Sequence, residues 1–272
     1  MKSAICLFGK VGNTKDKSGY AKSDTQILKI SSKKYKENII KINNCDMFLH
    51  SWDIDLEKEI LNYFKPKEFL LEEQKTFDVP KYVNGAGARN EKLRIQNHYS
   101  MWYSIKKSVE LAIEHSKKNN FEYDIIMIGR FDQAWETKFD FMELEKNNFY
   151  TGKMCQIFDK NGVDIFKGGK NYFYKNFLEK DISNYHHDHK HKANSDKTSC
   201  FWFAGNQQNI EKFSKLFNFL NVYKKENNDP ISSHSLSMQH IEKLGLKSKL
   251  LTKYHLYDDF PLIRRKYFNC KN

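Results

Sequence analysis

The chain has 272 residues, of which 39% are hydrophobic and 29% charged, and its 46 Lys and Arg against 34 Asp and Glu give a formal net charge of +12. That hydrophobic share builds a core and excludes a disordered chain. No apolar run approaches the ~20 residues that span a bilayer.

The positive balance suits phosphate-bearing or polyanionic partners. It is mostly Lys, however, in a chain also rich in Asn and Ile, a bias that an AT-rich genome produces without selection for binding. The basic residues form no stripe, and no zinc ligand set, RNP-type motif or helix-turn-helix signature accompanies them, so specific nucleic-acid binding is not expected. Five cysteines, Cys6, Cys45, Cys155, Cys200 and Cys270, carry no CxxC or metal-type spacing. Reduced, packed thiols are expected. Met1 runs straight into a strand-like segment with no signal-peptide pattern, so the expected location is cytoplasmic, with a basic face able to rest on the inner surface of a membrane.

In chain order, Ser3–Phe8 (SAICLF) predicts a buried strand leading into Gly9-Lys10-Val11-Gly12-Asn13. A polar stretch reaches about Ser32, and a helix is predicted over Lys34–Ile42. Cys45–His50 predicts a second strand, ending in Ser51-Trp52-Asp53, followed by an amphipathic helix over Asp55–Phe64 and a third strand over Lys67–Glu72.

Lys75–Leu93 is read as a long loop, a length that is often functional. Gln96–Lys117 has apolar residues at helical spacing. Tyr123–Gly129 (YDIIMIG) is the clearest buried strand, and Arg130-Phe131-Asp132 follows at once.

Further on, a strand is predicted over Phe149–Phe158, a turn at Gly168-Gly169 and a His-rich polar loop over Tyr185–Ser195. A strand over Ser199–Ala204 (SCFWFA), a helix over Gln208–Leu220 and a helix over His234–Leu244 closed by Gly245 complete the reading. Strand and helix alternate as in parallel α/β units for the first 130 residues, then mix. One domain over 1–272 is expected.

Ligands of open α/β sheets bind beyond the carboxyl ends of the strands. Gly9 and Gly12 allow close backbone approach, and Lys10 offers charge to a diphosphate. The loop lacks the GxxxxGK[ST] and GxGxxG patterns. Trp52 and Asp53 offer a ring and a carboxylate at the second strand end. Asp132 suits Mg²⁺ or Mn²⁺, which bridge carboxylates to phosphates. Arg130 could pair with Asp132 or contact phosphate as a planar fork. His186, His187, His189 and His191 are interleaved with Lys190 and Lys192, which repel a cation, so a solvated loop is favoured over a metal site.

The runs FLHSWD, QNHYSMWYSIKKSVELA and YDIIMIGRFDQAW together resemble a GT-A-like glycosyltransferase family of bacterial and viral capsule and surface-glycan gene clusters. The resemblance implies a three-layer α/β/α fold with a mixed, mainly parallel sheet, in which 1–135 is the nucleotide-binding half and 136–272 the acceptor-binding half. It implies a cytoplasmic enzyme, possible at the inner membrane face, that transfers a sugar from a nucleotide-sugar donor to a capsular or lipooligosaccharide acceptor with Mn²⁺ or Mg²⁺. The family's Asp-x-Asp motif falls on Arg130, Phe131 and Asp132, so only Asp132 carries over as a metal ligand, with His255 as a second ligand near the C-terminus.

Phe8, Gly9, Lys10, Gly12, Asn13, Asp53 and Arg130 would then border the donor, and the helix bearing Gln96, Ser100 and Ser104 would run beside it. Asp196 would lie near the acceptor. An inverting reaction needs a general base, for which Asp196, Asp188 and Glu136 are candidates. Two rival readings are a sulfo- or phosphoryl-type transferase, which would need Thr14 and Lys15 to open a phosphate-binding helix, and a nucleic-acid-binding module.

Overall fold

A computed structural model describes residues 1–15, 22–78, 91–153, 198–226, 233–251, 254 and 259–268. Seven strands form one sheet in the order β3-β2-β1-β4-β6-β5-β7. They are β1 Ser3–Gly9, β2 Asp46–Ser51, β3 Glu68–Leu71, β4 Ile125–Arg130, β5 Phe149–Lys153, β6 Thr198–Gly205 and β7 Ser248–Leu250. β1, β2, β3 and β4 pair in parallel; β6 is antiparallel to both β4 and β5, and β7 runs parallel to β5. The protein is therefore α/β, with a mixed, mostly parallel sheet.

Strand residues alternate between two cores, as a period of two requires. Ile5, Leu7, Met47, Leu49, Ile125 and Met127 face one core, which includes Ile27, Leu28 and Tyr35 of α1 (Thr25–Tyr35). α2 (Lys41–Asn43) prolongs α1 after an intervening π turn, and α3 (Glu57–Phe64) adds Ile60 and Phe64 to the same face. Ala4, Cys6, Phe8, Phe48, Ile126 and Ile128 face the other core, built largely by α4 (Glu91–Lys118) and α5 (Gln207–Ser214). Helices α6 (Leu216–Glu226) and α7 (Ser233–Lys243) add to this face. Burying each such Leu, Ile or Phe is worth about 1.5–3 kcal/mol. Among the described residues no helix is long and apolar enough to cross a membrane.

The first core changes character beyond β4. Trp135 stacks on Phe139 and Phe260 at 5.2 and 5.4 Å and meets Trp202 edge-on at 5.7 Å. This half of the face is filled by rings from loops and strands, with the short α8 (Ile263–Tyr267) closing it.

Several predicted boundaries move. α1 starts at Thr25, nine residues before the predicted Lys34, because the Asp24 carboxylate caps it by accepting from Gln26 N–H at 2.9 Å. The predicted helix over Gln208–Leu220 is two helices broken at Lys215, where the backbone leaves the helical region. β7 and α8 were not predicted. Residues 154–197, with the predicted Gly168-Gly169 turn and the His-rich loop, lie outside the described residues, as does the 79–90 part of the Lys75–Leu93 loop.

Cys6 is buried, and burial pushes its thiol far above the usual range; burial also pushes Cys45 up to about 12. Both thiols are inert at neutral pH.

Candidate functional site at the carboxyl ends of β1, β2 and β4

The chain leaves β1 for β2 and β3 on one side, then returns to lay β4 on the other side of β1. The sheet reverses its order between β1 and β4. In open α/β sheets the usual ligand position is a crevice beyond the strand ends at such a point. Phe8 is in register with His50 on one side and Arg130 on the other, so the three predicted strand tips are neighbours.

The loop after β1 is tied down residue by residue. Gly9 and Gly12 have φ of +93° and +84°, conformations that strain residues with a side chain. Gly9 N–H donates to Ser104 Oγ at 2.7 Å, and its carbonyl accepts from Ser51 Oγ at 2.9 Å. Val11 N–H donates to Asp53 Oδ2 at 2.6 Å and Gly12 N–H to Ser23 Oγ at 3.2 Å, while Ser23 donates on to Asp53 Oδ1 at 2.8 Å. Burial pushes the Asp53 carboxyl above its ordinary value, against the opposing effects of Val11 N–H, Ser23 and the Lys10 charge.

Three loop amides are therefore committed inside the protein, and they do not form a phosphate cradle. Asp53, expected to border the donor, has both of its oxygens engaged by the backbone of that loop and Ser23. Asn13 is nearly buried, and its Oδ1 accepts from Lys15 N–H at 2.8 Å.

At the β4 tip, Arg130 and Asp132 form a bidentate pair. Nε meets Oδ1 and Nη2 meets Oδ2, both at 2.7 Å. The guanidinium also lies 5.3 Å from the Phe201 ring centre. Tyr35 Oη donates to the Arg130 carbonyl at 3.0 Å, and Ile263 N–H to the Asp132 carbonyl at 2.9 Å. A Cβ placed on Gly12 would lie 3.6 Å from Asp132 Cβ, so the two walls touch here.

Of the two alternatives for Arg130, the pair with Asp132 is formed. A divalent cation on Asp132 would have to displace the guanidinium from both oxygens. Among the described residues no three His, Cys, Asp or Glu side chains gather as a cation site. His255, the second predicted ligand, lies outside the described residues, together with Asp188, Asp196, His186, His187, His189 and His191.

Other predicted residues take different places. The Phe8 ring is buried in the core under α4 and presents no face to the crevice. Trp52 is also buried, stacked on Tyr103 at 5.4 Å and edge-on to His50 at 4.6 Å, so its ring packs against α4. Gln96 exchanges hydrogen bonds with the backbone of Phe77, and Ser100 accepts from Gln74 Nε2 at 2.7 Å. Both hold the segment after β3 against α4, and of the three predicted α4 residues only Ser104 reaches the β1 tip. Glu136 pairs with Lys34, Lys266 and Tyr267. Burial pushes that carboxyl up, but these partners outweigh it and hold it below the usual range, which ill suits a general base.

Sequence reasoning missed Ser23, Tyr35 and Glu72. Tyr35 carried a signal, eight residues after Ile27 on one helical face. Ser23 and Glu72 carried none.

A scan against protein-family models matches no family, and a search of curated proteins finds no match to this chain.

Proposed function

We propose that the protein is a glycosyltransferase of GT-A-like fold that binds a nucleotide-sugar donor in the crevice between the tips of β1 and β4. The acceptor is a surface glycan, capsular or lipooligosaccharide, and the +12 charge suits an acceptor presented at an anionic membrane surface. One observation carries the reading: the Gly9–Asn13 loop, Asp53 and the Arg130–Asp132 pair sit on three adjacent parallel strand ends, at the point where the strand order reverses. The resemblance of FLHSWD and YDIIMIGRFDQAW to surface-glycan transferases falls on the same strand tips.

In this reading the Gly9–Asn13 loop is a rigid wall for the nucleoside. Arg130 and Lys10 supply positive charge for the leaving diphosphate, Arg130 as a fork and Lys10 as a point charge. Asp132 orients Arg130. The rival phosphoryl-type transferase is disfavoured by two features. Thr14 and Lys15 lie in a bend, with α1 opening only at Thr25, and Thr14 Oγ1 donates to Asp24 at 3.0 Å. The Gly9, Val11 and Gly12 amides are spent elsewhere.

The test is calorimetric titration and donor hydrolysis with UDP-, GDP-, CDP- and dTDP-sugars. One nucleotide class is expected to bind and turn over, and Arg130→Lys is expected to weaken binding about tenfold, the value of one charge-assisted hydrogen bond of ~1.5 kcal/mol. Silence toward every sugar nucleotide, or tight binding of a 3′-phosphoadenosine nucleotide in their place, would overturn the reading.

A further inference from the structure

Behind the β1 tip, polar side chains from β2, α4 and the segment just after β3 form a chain that runs from the interior out to a partly exposed carboxylate. His50 on β2 and Ser104 on α4 are both fully buried. His50 Nδ1 lies 2.6 Å from Ser104 Oγ, and His50 Nε2 lies 3.0 Å from Glu72 Oε1, just past β3. Glu72 is held in turn by Lys75 at 2.5 Å, and Lys75 Nζ also donates to Tyr103 Oη at 2.6 Å.

Hydrogen-bond roles follow from chemistry. A carboxylate only accepts, so Nε2 carries the proton toward Glu72, and Nδ1 accepts from the Ser104 hydroxyl. Burial holds the imidazole below its ordinary value despite the pull of Glu72, so the contact is a hydrogen bond from a neutral ring. Burial raises the Glu72 carboxyl, and Lys75, His50 and Tyr103 more than reverse this, keeping it charged.

The order Ser–His–Glu is that of a hydrolytic triad, yet Ser104 is shut from solvent and its oxygen already accepts from Gly9 N–H. The hydroxyl has one proton, given to His50, and its lone pairs face Gly9. Its direction is fixed from behind by an imidazole that is itself fixed by a carboxylate. The same logic orients metal-bound or catalytic histidines. Here it ends on a backbone amide.

We infer that Glu72, His50 and Ser104 are positioning residues: a relay, buried at His50 and Ser104, that sets the Gly9 peptide and thereby the course of the Lys10–Asn13 loop beyond the strand ends. Gly9 is where the chain turns from strand to loop at positive φ. Ser104 holds its N–H from the α4 side and Ser51 holds its carbonyl from β2. As a device for nucleotide affinity, the relay rests on the glycosyltransferase reading; as a device that orders the loop, it does not.

The two ring nitrogens allow a separation. His50→Asn keeps a polar atom near Nδ1 for Ser104 and abandons Glu72, whereas His50→Gln keeps the Glu72 side and abandons Ser104. Amide hydrogen exchange at Gly9–Gly12 is measured on the full chain without ligand. Ser104→Ala and His50→Gln are expected to speed it about tenfold, as loss of ~1.4 kcal/mol implies, with β4 amides unchanged; His50→Asn and Glu72→Gln, which keep the Ser104 contact but weaken the hold on the ring, are expected to speed it about two- to fivefold. In turnover assays Ser104→Ala and His50→Gln raise the KM for the nucleotide sugar with kcat unchanged. Exchange that stays unchanged, rises equally across the sheet, or ranks His50→Asn worst overturns the relay. Parent protein that turns over no sugar nucleotide defeats the glycosyltransferase reading, and the exchange pattern still decides the relay.

Discussion

The loop leaving β1 is held by two serines and a buried carboxylate acting on the amides of Gly9, Gly12 and Val11, whereas the turn leaving β4 presents its side chains to each other as one ion pair. The two lie against one another at Gly12 and Asp132. A loop whose amides are spent internally has fixed shape and little spare bonding capacity. A bidentate Arg–Asp pair is also ordered, but an arriving phosphate competes for the same guanidinium. On the proposed function, the contrast separates a wall that would recognise by shape from a charge that would exchange partners.

The comparison is broken most forcefully at the ion pair. Arg130→Ala leaves a carboxylate that is 7% exposed without its counter-charge. A loss of about 2–3 kcal/mol in urea unfolding is expected, toward the low end for buried pairs because the Arg130 side chain is 25% exposed. Replacing both, Arg130→Met with Asp132→Leu, should recover most of it. If the single variant is as stable as the parent, the pair does not hold the turn.

Next in size is Gly129→Ala, just before the pair. The added carbon would sit 2.6 Å from Tyr35 Oη and 3.4 Å from Leu7 Cδ2, pushing away the hydroxyl that donates to the Arg130 carbonyl. About 1–3 kcal/mol of overpacking is expected, seen as a lowered Tm.

The smallest effect sharpens the β1 side. Asp53→Asn keeps one acceptor and turns an amide toward a donor, costing about 1 kcal/mol. Its pH signature is more telling. A carboxyl raised by burial keeps its proton in the fold at pH values where the unfolded chain has lost it. Parent stability therefore declines as pH rises from the ordinary carboxylate value of 3.8 through the folded one. The Asn variant should lack that component.

Legibility differed along the same line. The strands β1, β2 and β4 were plain in SAICLF, DMFLH and YDIIMIG because burial on both faces leaves an unbroken apolar run. β7 has only Ser-Lys-Leu on a sheet edge and no such run. The first turns of α1 were hidden by Ser31 and Ser32, buried residues of low helix propensity. At the site, Gly9, Gly12, Asp53, Arg130 and Asp132 were legible by position at strand ends. Their partners were not: the pairing of Asp53 with Val11 and of Glu72 with His50 depends on which strands are neighbours, which local sequence does not encode.

Whether the tips of β1, β2 and β4 form one nucleotide-sugar site is decided by amide exchange across the chain, with and without the nucleotide sugar selected by titration. The account predicts new protection concentrated at residues 9–13, 51–53 and 130–132. Saturating ligand that protects a different surface and leaves all three segments unchanged would contradict it.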